Sequence, residues 1–126
     1  MKNGYDVSVV DDDESIRQAL DAFFRSVGLR VATFASAEEY LDQDGPASTE
    51  CLILDLRMPG MDGLQLQHRL RVDGREFPIV MLTAHGEADA RIQAMDAGAV
   101  AFLRKPCDSE VLLAAVEAAR QARGKE

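Results

Sequence analysis

The sequence predicts one α/β domain built on a five-stranded, doubly wound parallel sheet. Short apolar runs alternate with helical segments five times along the 126 residues, and three of the runs are almost continuously apolar. Such runs are typical of parallel strands that are covered on both faces. Because β-α-β crossovers are right-handed, the helices are expected on both faces of the sheet. The length suits a single hydrophobic core.

The predicted strands are DVSVV ending at Val10, LRVATF ending at Phe34, CLILDL around Asp55, PIVMLT ending at Thr83 and VAFL ending at Leu103. The first helix is predicted by one apolar face, and the glycine after it suits a left-handed helix cap. That face and its cap comprise Ile16, Leu20, Phe23, Val27 and Gly28.

Four more helices are predicted between and after the later strands. Ser36 and Glu39 form a capping-box pattern at the start of the second helix. The third and fourth helices are indicated by the pairs Leu66 with Leu70 and Ile92 with Met95, and Gly98 is expected to end the fourth. The fifth is expected to start near Asp108 or Ser109, with the stripe Val111, Leu112, Ala115, Val116 and Ala119 and a frayed end after it.

The composition excludes several classes of protein. The formal charge is -8, which repels nucleic-acid phosphates, so this domain is not expected to bind nucleic acid itself. No apolar run is long enough for a membrane span and the start lacks a signal-peptide core, which predicts a cytoplasmic protein without membrane contact. Cys51 and Cys107 lack the spacing of a zinc site, and both are expected to be buried thiols.

Chemically active side chains follow the predicted strands at the points where the strands end. Three consecutive aspartates, residues 11–13, follow the first strand, Asp55 follows the third, Thr83 ends the fourth and Lys105 follows the fifth. Ligands of doubly wound sheets bind outside the carboxyl ends of the strands. These groups are therefore expected to converge at one edge of the sheet.

The combination indicates phosphoryl chemistry. Clustered carboxylates repel one another, and Mg²⁺ relieves the repulsion because it prefers a few carboxylates plus waters. A carboxylate such as Asp55 is able to attack phosphorus and form an aspartyl phosphate. Mg²⁺ and Lys105 would neutralise charge on the phosphoryl oxygens, and Thr83 would donate a hydrogen bond to one of them.

Each residue alone has a simpler interpretation. Asp13 fits a helix N-cap, Thr83 an ordinary strand residue and Lys105 a solvated loop lysine. Asp55 differs, because it ends the apolar run CLIL, where an unpaired charge is costly. The functional interpretation depends on these residues occurring together at the ends of the right strands.

Along nearly its whole length the chain resembles response-regulator receiver domains, of the FixJ type or the NtrC type. The matching segments are VVDDDES at 9–15, FASAEEYL at 34–41, DLRMPGMDG at 55–63, TAHGE at 83–87 and KP at 105–106. The resemblance implies a flavodoxin-like sheet in the order 2-1-3-4-5 with five helices. It also implies a signalling module, not an enzyme, that takes a phosphoryl group from a sensor histidine kinase.

The resemblance assigns a role to individual residues. Asp55 corresponds to the phosphoacceptor and Lys105 to the lysine that contacts the phosphate. The ligands of Mg²⁺ would be Asp11, Asp12, Asp55 and the backbone carbonyl of Arg57. A cis bond between Lys105 and Pro106 is also implied.

The resemblance further implies a conformational switch. Thr83 and the Ala84 amide would bind the phosphoryl group, and Phe102 would turn inward as Thr83 moves. The face made by helix four, strand five and helix five would then change. Arg57 and His85 correspond to positions that tune the lifetime of the phosphorylated state, although His85 also fits a surface loop histidine.

Receivers of this type are commonly followed by a DNA-binding output domain. We expect residues 1–126 to form one receiver domain with no output domain. The chain is then either a stand-alone receiver or the input half of a longer transcription regulator, and we favour the second. A homodimer through the switch face is expected on phosphorylation.

Three rival functions use the same residues differently. An aspartyl phosphohydrolase would want a second acid two residues after Asp55, where Arg57 stands. A flavin or nucleotide binder would want a Gly-, Ser- or Thr-rich turn after the first strand, where residues 11–13 are acidic. A receiver that works as a constitutive interaction module stays open.

Overall fold

The computed structural model describes residues 4–84 and 88–124, in which strands and helices alternate. The strands are β1 (Val7–Val10), β2 (Val31–Phe34), β3 (Leu52–Leu54), β4 (Ile79–Thr83) and β5 (Ala101–Arg104). The α-helices are α1 (Glu14–Ser26), α2 (Ala37–Asp42), α3 (Gly63–Val72), α4 (Ala88–Asp96) and α5 (Ser109–Gly124). A short 3₁₀ helix spans Gly45–Ser48.

All five strands are parallel and lie in the order β2-β1-β3-β4-β5. The predicted fold and strand order are thus confirmed. Val10 lies beside both Phe34 and Leu54, and Thr83 lies beside Arg104. This register aligns the strand ends along one edge, called here the carboxyl edge. The opposite edge, where the strands begin, is called the amino edge.

Two hydrophobic clusters cover the two faces of the sheet. One joins the sheet to α1 and α5 through Leu20, Phe24, Leu112 and Val116. The other joins it to α2, α3 and α4 through Tyr40, Leu66, Leu70 and Ala94. Val9 belongs to the first cluster and Val10 to the second, because successive side chains of a strand point to opposite faces.

Several apolar residues differ from the sequence prediction. In α1, Phe24 is fully buried, whereas Val27 follows the helix and is exposed. In α4, Ile92 and Met95 are exposed and the small side chains of Ala90 and Ala94 face the core. Small residues let this helix lie close to the sheet, so periodicity of large apolar residues alone misassigned its buried face.

Further differences concern α5, α2 and the cysteines. Val111 is exposed, and α5 continues to Gly124 instead of fraying after Ala119. Ser36 caps α2 as predicted, but the Glu39 carboxylate accepts the Ala35 N–H. Cys51 is fully buried, whereas Cys107 is only partly buried. Asp13 is the N-cap of α1, as predicted. Among the described residues, no helix is both long and apolar enough to cross a membrane.

Candidate functional site

Three aspartates meet at the carboxyl edge. Asp11 follows β1 and Asp55 follows β3, and the two strands are neighbours in the sheet. Asp12 joins them, and one carboxylate oxygen from each of the three lies within 4.8 Å of the others. Asp11 and Asp55 are buried, whereas Asp12 is exposed. The predicted convergence of these acids therefore occurs.

Lys105 reaches into this cluster from the end of β5. Its Nζ lies 2.7 Å from Asp11 Oδ2 and 3.4 Å from Asp55 Oδ2. Its backbone N–H donates to the carbonyl of Thr83 over 2.8 Å, which extends the β4–β5 pairing past the strand end. The Lys105–Pro106 peptide bond is cis, as expected. The lysine is thus an interior partner of the acids and not a solvated loop residue.

The cluster holds more negative than positive charge. Burial raises the pKa of Asp11, and the nearby Asp55 charge raises it further, although the Lys105 hydrogen bond acts in the opposite direction. Burial opposes the charge on Lys105, but its hydrogen bond and charge interaction with Asp11 and the charge of Asp55 outweigh this, so its pKa is raised. An acid-rich, partly desolvated site of this kind favours a further cation.

Backbone contacts fix the two loops that carry the acids. Asp11 Oδ1 accepts the N–H of Asp13 over 2.9 Å, and the Asp11 carbonyl accepts a hydrogen bond from Arg17 Nη1 over 2.8 Å. Asp55 Oδ1 lies 3.4 Å from the N–H of Arg57. These contacts restrain where the carboxylates point, which is a requirement for metal or phosphoryl binding.

The predicted switch residues occupy β4, β5 and the segment after β4. Thr83 is fully buried at the end of β4, and Ala84 next to it is exposed. Phe102 is partly buried beside Met81 and packs against the cluster on the α2–α3–α4 face. The Arg57 residue is exposed. His85 lies outside the described residues.

Two residues near the site were missed by sequence reasoning. Arg17 lies on α1 and contacts the Asp11 carbonyl, and Glu38 lies on α2 and accepts the Met61 N–H over 2.8 Å. Neither belongs to the acidic and lysine motifs at the strand ends. The sequence indicated the role of Glu38 only weakly. Glu38 is the first of two acids in FASAEEYL, and such acids are common on the exposed surface of a helix.

Comparison with known proteins identifies the family. Residues 7–117 match the family model of the response regulator receiver domain. The chain belongs to this family. It is accordingly a receiver domain of two-component signalling, a class whose members generally bind Mg²⁺ and work with a histidine kinase. The cluster of three aspartates suits such an ion chemically, since all its donors are carboxylate oxygens.

Individual relatives support the same assignment. The receiver is 46% identical over 115 residues to Nodulation protein W of Bradyrhizobium diazoefficiens, covering 91% of this chain and 51% of that protein. The structure of the response regulator StyR is 44% identical with a TM-score of 0.86, covering 94% of this chain and 60% of that one. The FixJ-N crystal structure is 35% identical with a TM-score of 0.82, covering 91% of this chain and 92% of that one.

These matches confirm the FixJ resemblance. The chain spans about half the length of the curated relatives it matches. Several of those relatives have names that describe transcriptional regulatory proteins, among them FixJ of Bradyrhizobium diazoefficiens at 39% identity.

Proposed function

We propose that this receiver accepts a phosphoryl group from a sensor histidine kinase on Asp55. One observation carries the proposal: Asp55 is buried at the end of an apolar strand and still lies within reach of two further carboxylates and Lys105. A buried carboxylate beside two other carboxylates has no evident structural benefit, because like charges repel. A nucleophile that requires a metal and a lysine does explain the arrangement.

The reaction is a transfer between two nucleophiles. A carboxylate oxygen of Asp55 forms the new P–O bond while the P–N bond of the kinase phosphohistidine breaks. The ring nitrogen keeps the bonding electron pair and takes up a proton. Lys105, 3.4 Å from the Asp55 carboxylate, is placed to compensate charge on the incoming phosphoryl oxygens.

Mg²⁺ would be held by the carboxylates of Asp11, Asp12 and Asp55 and by the backbone carbonyl of Arg57. When bound, it supplies charge neutralisation for the phosphoryl group. The hydrogen bonds to Asp11 and to its carbonyl keep the first loop in place for this purpose. The Lys105 ammonium lies 2.7 Å from Asp11 Oδ2, so it contacts one of the carboxylates that would hold the ion.

The output of the reaction is a change of the α4–β5–α5 face. Thr83 and the Ala84 amide bind the phosphoryl oxygens, and Phe102 turns inward as Thr83 moves. This is a local charge event that biases a two-state element. The changed face supports a homodimer, and Arg57 and His85 tune how long the phosphoryl group persists.

In the whole protein, residues 1–126 form a single receiver domain that controls a DNA-binding output domain located elsewhere in the polypeptide. The supporting observation is that this chain spans about half the length of the curated relatives it matches. The receiver itself works in the cytoplasm, turns over no external substrate, contacts no membrane and binds no nucleic acid. A stand-alone receiver that serves as an interaction module is the alternative.

The test is an intact-mass measurement after incubation with Mg²⁺ and a small acyl-phosphate donor. Wild-type protein should gain one phosphoryl group and Asp55→Asn none. Asp73→Asn, which removes an exposed carboxylate beyond α3, is the matched control and should be phosphorylated normally. If neither the acyl phosphate nor a phosphorylated histidine kinase modifies the wild type, the proposal is wrong and the interaction module is favoured.

A further inference from the structure

We propose that Glu38 of α2 is a positioning residue for the loop between β3 and α3. This loop, residues 55–62, carries Asp55 and the Arg57 carbonyl, so the part of the inference that concerns metal binding rests on the proposed function. Glu38 contacts neither of those groups directly. It acts by holding the far side of the loop, at Gly60 and Met61.

The contact between Glu38 and the loop is direct. Glu38 Oε2 accepts the backbone N–H of Met61 over 2.8 Å, although the two residues are 23 positions apart. Gly60 next to it has a φ of +76°, and a Cβ built at Gly60 would lie 2.6 Å from the same Glu38 oxygen. The carboxylate is therefore packed against the loop backbone at a place where only glycine fits without displacement.

The charged state of Glu38 strengthens this contact. The hydrogen bond from the Met61 N–H, together with one from its own backbone, lowers the pKa of Glu38. Hydrogen bonds to an ionised acceptor are roughly twice as strong as those between neutral groups. Glu38 is exposed, so burial does not force its carboxylate onto the loop. The geometry results from the donor that the loop presents.

The rest of the loop is anchored to the core. Met58 is buried against the hydrophobic cluster on that face, and the Gly63 N–H donates to the Leu56 carbonyl over 2.9 Å. Gly60 and Met61 lie between these two anchors, where the Met61 side chain packs partly against the same cluster and Glu38 holds the backbone through the Met61 N–H. Because Mg²⁺ demands near-ideal octahedral geometry, a small displacement of the loop carbonyls weakens its binding.

The neighbouring residue Glu39 has a different structural role and therefore provides a matched control. Glu39 lies in the same helical turn and also accepts a backbone N–H, but its donor is Ala35, just before α2. Glu39 thus stabilises the helix start, whereas Glu38 joins the helix to the loop. Loss of either residue removes one negative charge and the hydrogen bonds of its carboxylate from α2, and only loss of Glu38 removes the contact with the loop.

The experiment compares Glu38→Ala, Glu38→Gln and Glu39→Ala by nuclear magnetic resonance of the folded protein. The first readout, without metal, is the amide hydrogen-exchange rate of Met61. The loss of a charge-assisted hydrogen bond should accelerate it about tenfold in Glu38→Ala, less in Glu38→Gln, and less than about twofold in Glu39→Ala.

The second readout is the Mg²⁺ dissociation constant from titration of the same samples. We expect Glu38→Ala to weaken binding by about three- to tenfold, Glu38→Gln to restore part of the affinity, and Glu39→Ala to leave it unchanged within about twofold. Gly60→Ala should weaken binding more in the wild type than in Glu38→Ala, because the second background lacks the oxygen that a Cβ would meet.

Equal effects of Glu38→Ala and Glu39→Ala on both readouts would mean that Glu38 only supports α2, and would overturn the inference. Unchanged Met61 exchange in Glu38→Ala would do the same. Failure of the proposed function gives a different result, namely wild-type protein that binds no Mg²⁺, while Met61 exchange still reports on the loop.

Discussion

The two ends of the sheet each carry a cluster of charged residues, and the clusters differ in balance. At the carboxyl edge, three carboxylates, of Asp11, Asp12 and Asp55, face the ammonium group of Lys105. At the amino edge, the carboxylates of Asp6 and Glu50 meet the guanidinium groups of Arg30 and Arg120. One cluster has excess negative charge and the other has matched charges.

The amino-edge cluster connects four parts of the fold. Asp6 precedes β1, Arg30 precedes β2, Glu50 lies just before β3, and Arg120 belongs to α5. Asp6 Oδ1 lies 2.9 Å from Arg120 Nη2 and 3.2 Å from Arg30 Nη2, and Asp6 Oδ2 accepts the Arg30 N–H over 2.8 Å. Burial opposes ionisation of Asp6, but these hydrogen bonds and charges outweigh it, so its pKa is lowered.

The difference is the one expected between a structural cluster and a functional one. Matched charges that also hydrogen-bond to each other offset the desolvation cost of their burial without any ligand. An excess of buried carboxylates destabilises the folded state unless a cation binds to them. Such an excess is typical of sites where a bound cation serves a function. Asp6 and Asp11 thus occupy comparable positions at opposite ends of β1 and have pKa values shifted in opposite directions.

Asp6→Ala should have the largest effect on stability. It leaves Arg120 and the Arg30 N–H without their shared acceptor, and the expected loss is about 2 kcal/mol of unfolding free energy. Urea denaturation at pH 7 measures it, with the exposed Asp73→Ala as control. A loss below that of the control would mean that the amino-edge cluster is not structural.

The pH dependence of the same variant sharpens this prediction. Because the pKa of Asp6 is lowered in the folded state, its stabilisation is present above its ordinary pKa of about 4 and is lost as the pH falls through the lowered value. The stability difference between wild type and Asp6→Ala should therefore shrink steadily below about pH 4. A constant difference down to the acid transition would contradict the assignment to Asp6.

Mg²⁺ should stabilise the wild type through the carboxyl edge. At ten times its dissociation constant, a ligand that binds only the folded state adds about 1.4 kcal/mol. Thermal denaturation with and without MgCl₂ measures the shift, and Asp11→Asn should lose most of it. Equal shifts in wild type and variant would indicate a general salt effect, as would equal shifts with NaCl of matched ionic strength.

Asp11→Asn should stabilise the protein when no metal is added. The pKa of Asp11 is raised in the folded state, so its ionised form is unfavourable above its ordinary pKa and becomes less so as the pH falls through the raised value. Removing one buried negative charge is expected to increase stability by about 1 kcal/mol at pH 7. Urea denaturation with a chelator tests the sign, and a loss of stability would break the comparison with Asp6.

Arg25→Ala should have the smallest effect. Arg25 and Asp21 form an i,i+4 pair on α1 at 2.8 Å, but their side chains are 62% and 39% exposed. Water and salt screen such pairs, so the expected loss is at most about 0.5 kcal/mol. Urea denaturation of Arg25→Ala and Asp6→Ala under the same conditions compares the loss of unfolding free energy at an ordinary surface pair with the loss at the amino-edge cluster. A loss as large as that of Asp6→Ala would remove the distinction.

Much of the carboxyl edge was predictable because it depends on chain order. Strand ends are marked by the last apolar residue of each run, and parallel pairing brings those ends together. Asp11, Asp12, Asp55 and Lys105 were located in this way. Burial on the helices was harder, since Ala94 of α4 and Phe24 of α1 depend on how closely each helix approaches the sheet.

The sequence by itself determined the alternation of strands and helices, the family and the residues of the acidic site. These features follow from local periodicity and from motifs at the strand ends. The tertiary structure alone decided the contacts of Glu38 with Met61 and of Asp6 with Arg120, which are 23 and 114 positions apart. Such partners come into contact only when the helices have packed on the sheet. The sequence around a charged residue does not indicate which distant donor it will contact.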